Sequence, residues 1–213
     1  MTNDDLIQSF ITAGVLRTSR IIDAFRRVDR KYFVPASVID EAYANIPLPL
    51  AEGQTISQPL TVAVMLELLQ PQPKDHCLDI GAGSGWTAAL LGEVVGPRGR
   101  VTAIERLPRL VAQAKHNLAH FQQPQVKLMV GDASGGWPAN APYDIIHVAA
   151  AIDALPATLK EQLADHGRLI APIGVGVQDL AFIRKISDNS YTEQRYPSFQ
   201  FVPLIMPAQT TRK

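Results

Sequence analysis

The feature that most constrains the fold is a glycine loop, Asp79–Gly85 (DIGAGSG), which directly follows a short apolar run. Glycines let the chain turn tightly and let the backbone approach a ligand without a Cβ in the way. The segment after the loop, 84–95, has apolar residues at helical spacing. The sequence therefore predicts a strand, a ligand-approaching turn and a helix in direct succession.

The rest of the chain from residue 76 repeats this alternation of short apolar runs with amphipathic segments. The predicted strands are 76–80, 100–104, 126–130, 144–148 and 167–171. The predicted helices are 84–95, 108–120 and 155–164. Strands separated by helix-length segments form βαβ crossovers, and nearly continuous apolar strands are buried on both faces. The expected fold is α/β, with a mostly parallel, doubly wound, Rossmann-like sheet.

The two ends of the chain break this rhythm. Segments 4–13 and 18–29 have helical spacing and predict an N-terminal helical cap, whereas 34–60 is rich in proline and polar residues and predicts irregular chain. Near the other end, 179–186 and 191–204 are strand-like and close enough for an antiparallel pair.

Charge and composition exclude several classes of partner. The 20 basic and 20 acidic residues balance, so no global field favours nucleic acid. We interpret the local basic group Arg26, Arg27, Arg30 and Lys31 as a solvated helix face. No apolar run of about 18 residues predicts a membrane span. The lone Cys77 and a polar start without an apolar signal core favour a reducing, cytoplasmic location. A monomer is the default expectation.

The glycine loop fits neither of two common nucleotide motifs. A dinucleotide loop has a third glycine where this chain has Trp86, and a P-loop has lysine followed by serine or threonine where this chain has Trp86 and Thr87. A nicotinamide oxidoreductase is therefore disfavoured.

Acidic residues at three successive strand ends point instead to a cationic methyl donor. Asp79 lies two residues before the first glycine, a position typical of S-adenosylmethionine-dependent methyltransferases. Glu105 ends the next strand, where a carboxylate can accept both ribose hydroxyls. Asp132 follows the third strand and is suitably placed for the adenine amino group. The sequence predicts S-adenosyl-L-methionine as the cofactor.

Five further segments resemble one family of these enzymes. They are Arg27–Pro35 (RVDRKYFVP), Ile46–Leu50 (IPLPL), Gly53–Pro59 (GQTISQP), Ala141–Asp144 (APYD) and Phe201–Leu204 (FVPL). Together with the glycine loop they cover about residues 18 to 205 in the same order as in the protein-L-isoaspartate O-methyltransferases. The GQTISQP run is not shared by methyltransferases in general, so the chain resembles this family specifically.

This resemblance implies an activity and a set of site residues. The family methylates the carboxylate of isoaspartyl residues in damaged proteins and peptides, which begins their repair through a succinimide. Ser57 corresponds to the active-site residue, and Val202, Pro203 and Leu204 to a segment that contacts the peptide substrate. The expected cofactor contacts are Gln54, Thr55, Ile56, Asp79, Gly81, Ala82, Gly83, Gly85, Glu105, Arg106, Asp132 and Ala133. We expect one domain, 1–213, with the cap and active-site loop in 1–60 and the cofactor-binding core and C-terminal strands in 61–213.

Three positions depart from the family pattern. Leu60 stands where relatives commonly have histidine, Ala133 where glycine is usual and Val148 where threonine is frequent. Each could alter the fit of the substrate, and none is required for the chemistry.

A carboxylate acceptor makes few demands on acid–base residues. Its reference pKa near 4 leaves it ionised at neutral pH, so no general base is needed. The histidines are not expected to act in catalysis, although the position of His147 near a strand end leaves its role open. No pair of histidines has metal-ligand spacing, and no metal site is predicted.

Two other functions remain open on sequence grounds. The same reaction could act on normal aspartate in a specific peptide during its maturation, for which Leu60 and Val148 leave room. A protein of another class would use this fold as a non-catalytic, cofactor-binding interaction module, against which Ser57 and Glu105 argue.

Overall fold

A seven-stranded sheet organises the computed structural model, which describes residues 1–188 and 190–204. The strands are β1 (Leu48–Pro49), β2 (Thr55–Ile56), β3 (His76–Ile80), β4 (Arg100–Glu105), β5 (Val126–Val130), β6 (Tyr143–Val148), β7 (Leu163–Ile173), β8 (Gln178–Ser187) and β9 (Ser190–Phe199). The α-helices are α1 (Asn3–Thr12), α2 (Ser19–Arg27), α3 (Pro59–Leu69), α4 (Trp86–Val95), α5 (Pro108–Leu118) and α6 (Ala157–Glu161). Short 3-10 helices span Arg30–Phe33, Ala36–Glu41, Ala51–Gly53 and Pro138–Asn140.

The sheet has the order β5-β4-β3-β6-β7-β8-β9. Strands β3 to β7 are parallel, and β8 and β9 add an antiparallel pair at one edge. The order reverses between β3 and β6, and ligands of open α/β sheets bind at such a reversal, outside the carboxyl ends of the strands. The predicted fold class is confirmed, including the helical segments at the N-terminus and the antiparallel pair near the C-terminus.

The predicted bounds of two helices were wrong: the helix after the glycine loop and the helix before β7. Helix α4 begins at Trp86 instead of residue 84, because Gly83 and Gly85 have left-handed backbone (φ 53° and 86°) that a helix cannot contain. Helix α6 is shorter than the predicted 155–164, because Leu163 already belongs to β7 and pairs with Tyr143.

Two other segments also differ from prediction. The irregular segment 34–60 contains the antiparallel pair β1–β2, and the unpredicted α3 starts at its end. Helix α3 is apolar on nearly all sides because it is mostly buried, so it lacks the amphipathic period that predicts a surface helix. Strand β9 ends at Phe199, and Pro203 instead makes a parallel bridge to Ala151.

The sheet separates two hydrophobic clusters. One cluster packs α1 and α2 together with α3 and α4, and the edge-to-face contact of Phe25 with Trp86 (ring centroids 5.6 Å apart) joins the N-terminal helices to the core. The second cluster lies on the other face and includes Leu159 of α6. Each fully buried large apolar side chain contributes about 1.5–3 kcal/mol, so both faces stabilise the strands that carry the glycine loop.

One histidine at the start of β3 makes stability depend on pH. His76 packs against Tyr143 (ring centroids 4.7 Å apart), and burial lowers its pKa below the usual 6.5. The unfolded chain therefore binds more protons than the folded chain between that lowered pKa and about 6.5, so the free energy of unfolding falls as pH drops through this window. We expect His76→Gln to flatten this slope in urea titrations between about pH 5 and 7. The exposed His166→Asn is the control, and an unchanged slope in His76→Gln would contradict the assignment.

Candidate active site

A cleft lies at the carboxyl ends of β3, β4 and β5. Fourteen of the predicted site residues line it: Gln54, Thr55, Ile56, Ser57, Gly81, Ala82, Gly83, Glu105, Arg106, Asp132, Ala133, Val202, Pro203 and Leu204. The fold thus brings together five segments that are far apart in sequence.

The glycine loop forms the floor of this cleft. The backbone N–H groups of Gly81 and Ala82 donate to the Ile104 carbonyl at 2.9 and 3.1 Å, which fixes the loop to the neighbouring strand β4. Gly81 has φ 78° and Gly83 has φ 53°, conformations that glycine adopts without steric cost. The local sequence therefore produces a tight turn of backbone that lines the base of the cleft.

Asp79 and Gly85 do not line the cleft, unlike the other predicted cofactor residues. The Asp79 side chain is fully buried, with Oδ1 2.7 Å from Nδ1 of His147 and Oδ2 without a hydrogen-bond partner among the described residues. A Cβ on Gly85 would lie 3.3 Å from that of Ala114, so this glycine allows α5 to pack closely. Their contacts with the cofactor stay predictions.

Glu105 and Asp132 place two carboxylates on one wall. The Glu105 oxygens accept hydrogen bonds from the N–H groups of Gly83 and Leu107, both at 2.9 Å, and the residue is 7% exposed. Asp132 accepts from the N–H of Ser134 at 2.9 Å. A carboxylate has about four acceptor positions, so each retains capacity for ligand donors. This donor and acceptor set fits a ligand with hydroxyl and amino groups, as predicted for S-adenosylmethionine.

The Ser57 loop forms the opposite side of the cleft. It continues from β2, which pairs with β1, and the Leu50 N–H donates to the Gln54 carbonyl at 2.7 Å. Ser57 is half-buried and lines the cleft together with Gly83 and Glu105. The hairpin therefore places the predicted catalytic hydroxyl near the predicted cofactor site.

Backbone hydrogen bonds hold the segment 202–204 beside Ala151, which follows the carboxyl end of β6. Ala151 N–H donates to the Val202 carbonyl at 2.8 Å, and Leu204 N–H donates to the Ala151 carbonyl at 2.7 Å. The buried Gln178 amide also accepts from the Phe201 N–H at 2.8 Å. Sequence reasoning did not identify Ala151 or Gln178, because their partners are more than 20 residues away.

Two residues at the junction of the cap with α4 are buried, and the burial of the second, Arg30, differs from the prediction. Trp86 is buried, lines the cleft, and donates from Nε1 to the Val28 carbonyl at 3.3 Å. Arg30, interpreted as part of a solvated face, is fully buried. Both residues are buried because the cap packs against α4, and the residues next to them in sequence do not predict this packing.

The family departures lie at different distances from the cleft. Ala133 lines it, whereas Leu60 lies in the first turn of α3 and donates its N–H to the Asn45 side chain, and Val148 is fully buried in β6. Neither Leu60 nor Val148 is among the residues that line the cleft. Neither side chain is therefore placed to contact a ligand inside the cleft.

The cleft is poor in groups that exchange protons. Among the described residues that line it, the side chains with acidic or basic groups are Glu105, Arg106 and Asp132. No cluster of three or more His, Cys, Asp or Glu is placed to hold a metal in residues 1–188 and 190–204. The arrangement is suited to a transfer to an acceptor that is already ionised, since such a transfer needs alignment more than proton abstraction.

Comparison with known proteins agrees with this geometry. Residues 1–209 match the family model described as Protein-L-isoaspartate(D-aspartate) O-methyltransferase. The chain is 41% identical to the protein-L-isoaspartate O-methyltransferase of Methanopyrus kandleri, covering 94% of this chain and 89% of that protein. It is 45% identical to the enzyme of that name from Aeropyrum pernix, covering 94% and 78%.

A solved structure shares the fold over nearly the same length. The crystal structure of a Plasmodium falciparum protein described as a protein-L-isoaspartate O-methyltransferase, in complex with S-adenosyl-L-homocysteine, superposes with a TM-score of 0.85 and 23% identity, covering 96% of this chain and 99% of that one. The resemblance inferred from the GQTISQP and glycine-loop motifs is confirmed, and the chain belongs to the protein-L-isoaspartate(D-aspartate) O-methyltransferase family.

Proposed function

We propose that this protein transfers the methyl group of S-adenosyl-L-methionine to the carboxylate of isoaspartyl residues in proteins and peptides. The observation that carries the proposal is the meeting of the Ser57 loop, the glycine loop and the segment 202–204 in one cleft, in a chain of this family. The reaction makes the chain a carboxyl methyltransferase.

The residues of the cleft account for the chemistry. S-adenosyl-L-methionine supplies a methyl group bound to a positively charged sulfur. Glu105 and Asp132 would hold the ribose and adenine, and the Ser57 hydroxyl would donate a hydrogen bond to the acceptor carboxylate. The acceptor oxygen forms a bond to the methyl carbon while the carbon–sulfur bond breaks, and S-adenosylhomocysteine leaves. Proximity and exclusion of water supply most of the rate gain.

The methyl ester makes repair possible. The backbone nitrogen of the following residue attacks the ester carbonyl, methanol leaves, and a succinimide forms. Hydrolysis of this ring returns part of the material to normal aspartate. The enzyme is needed for the ester alone, which agrees with a cleft poor in acid–base groups.

The deciding experiment compares two peptides that differ only in aspartate or isoaspartate. Transfer of base-labile, labelled methyl to the isoaspartyl peptide alone would support repair. Transfer to the aspartyl peptide would favour the maturation enzyme, whose sequence support came from Leu60 and Val148. Binding of the cofactor with no transfer to either would favour a non-catalytic module.

The same assay tests the assigned serine. We expect Ser57→Ala to lower kcat about tenfold, because one hydrogen bond to a charged group contributes about 1.5 kcal/mol or more. The Kd for the cofactor, measured by calorimetry, should change less than about threefold. Ser9→Ala, far from the cleft on α1, is the control, and an unchanged kcat in Ser57→Ala would remove Ser57 from the mechanism.

Location and assembly stay predictions from the sequence. Among the described helices, none has the length and apolarity that crossing a bilayer requires. A cytoplasmic monomer that acts on isoaspartyl proteins and not on nucleic acid or membranes is the expectation from charge and cysteine content.

A further inference from the structure

One buried cation near the cleft has carbonyl groups as its hydrogen-bond partners. Arg30 is 0% exposed, and its guanidinium donates from Nη1 to the Ala42 carbonyl at 2.6 Å. Nη2 donates to the carbonyls of Ile46 and Ser57, both at 3.1 Å. Among residues 1–188 and 190–204, no carboxylate oxygen lies within 4.0 Å of the Arg30 guanidinium.

This arrangement is costly for a purely structural contact. Burial lowers the pKa of Arg30 to about 10, so the side chain keeps its charge at neutral pH. A buried charge without a counter-ion is unfavourable, and a neutral amide could donate to one or two carbonyls without it. The planar fork of arginine, however, reaches three chain segments at once.

The position of the guanidinium connects it to two sides of the cleft. The Ser57 carbonyl belongs to the residue whose hydroxyl faces the acceptor in the proposed reaction. The guanidinium also lies over the Trp86 ring, 5.3 Å from its centroid, and Trp86 lines the cleft. Arg30 therefore lies directly behind the Ser57 loop and the first turn of α4.

We propose that Arg30 is a positioning residue that fixes the Ser57 loop for methyl transfer and whose positive charge favours binding of an anionic acceptor. This inference rests on the proposed function. The two effects separate kinetically. The three hydrogen bonds of the guanidinium fork align Ser57, so their loss lowers kcat. The positive charge of Arg30 attracts the acceptor carboxylate, which becomes neutral as the ester forms, so loss of this charge raises KM.

Two substitutions distinguish the fork from the charge. Arg30→Lys keeps the charge and loses the fork, so we expect kcat to fall about tenfold with KM for the isoaspartyl peptide within about twofold. Arg30→Met loses both, so kcat should fall similarly and KM should rise about tenfold. Because the cofactor is a cation, neither variant should weaken its binding by more than about threefold. Rates are expressed per cofactor-binding site, which corrects for any misfolded fraction.

Arg20 offers a matched control. It is partly buried and donates to the Pro71 carbonyl and the Gln70 side chain, both at 2.7 Å, and neither of these partners lines the cleft, unlike Ser57. Arg20→Met should lower the melting temperature while kcat and KM stay within about twofold. If Arg30→Met behaves like Arg20→Met, Arg30 is structural only; if Arg30→Lys equals the wild type, the fork has no role. Either result overturns the proposal.

A second measurement does not depend on the acceptor. Backbone amide exchange of 54–58 should accelerate in Arg30→Met and not in Arg20→Met, because the Ser57 carbonyl loses its donor. If the wild type fails to methylate either peptide, the proposed function fails, and this exchange result alone decides whether Arg30 positions the loop. Unchanged exchange would reject that role.

Discussion

Glu105→Ala is expected to raise the Kd for S-adenosyl-L-methionine about 100-fold. The carboxylate accepts from the N–H groups of Gly83 and Leu107 and lines the cleft where the ribose would bind. Its removal would take away the proposed acceptor for two ribose hydroxyls and would also release the Gly83 N–H of the glycine loop. Hydrogen bonds to charged groups contribute about 1.5–3 kcal/mol each, and about 2.7 kcal/mol is a factor of 100 in Kd.

Calorimetric titration measures this Kd directly. Glu105→Gln keeps one acceptor oxygen and should lose less affinity than Glu105→Ala. Glu93→Ala is the matched control. It removes the surface ion pair between Glu93 on α4 and Arg27 on α2, and it should leave the Kd within about twofold. A Kd for Glu105→Ala within fivefold of the wild type would show that this carboxylate does not hold the cofactor.

His147→Ala is expected to lower the free energy of unfolding by about 1–3 kcal/mol, because it leaves a fully buried carboxyl group without its hydrogen-bond partner. Asp79 and His147 face each other on β3 and β6 with side chains 2% exposed or less, and Nδ1 lies 2.7 Å from Oδ1. Oδ2 has no hydrogen-bond partner among the described residues, so loss of the imidazole would leave both carboxylate oxygens unpaired.

Urea unfolding of single and double variants tests this pair. Replacing both residues, Asp79→Leu/His147→Leu, should destabilise the protein less than His147→Ala alone, because an apolar pair leaves no buried polar group without a partner. His116→Ala, an exposed histidine on α5, should change the stability by less than about 0.5 kcal/mol. A cost below about 1 kcal/mol for His147→Ala would mean that water or rearrangement satisfies Asp79.

The role of His147 illustrates what one-dimensional patterns leave open. Its position near a strand end was compatible with catalysis or structure, and the structure places it beside Asp79 in the sheet interior. That neighbour is 68 residues away in sequence, and the register of β3 against β6 alone brings the two together. The sequence likewise locates the Asp79 carboxylate at a strand end but not the direction in which it points. Asp79 does not line the cleft, and its contact with the cofactor stays a prediction.

The sequence by itself determined the features that depend on local backbone chemistry. The parallel strands follow from short apolar runs, and the glycine loop follows from positions 81 and 83, whose positive φ angles glycine tolerates best. Glu105 and Asp132 were placed on the cleft because carboxyl ends of parallel strands meet at one edge of a sheet. These signals lie within a few residues of the structure they predict.

The tertiary structure alone decided the features that depend on contacts between distant segments. Helix α3 is buried on nearly all sides, so its sequence has no amphipathic period that would predict a helix. The basic group of the cap includes Arg30, which is fully buried. Arg30 meets its three carbonyl partners 12 to 27 residues away, and Gln178 meets Phe201 23 residues away. Burial and partner choice are properties of the packed chain, because the same side chain is solvated or enclosed according to which segments fold over it.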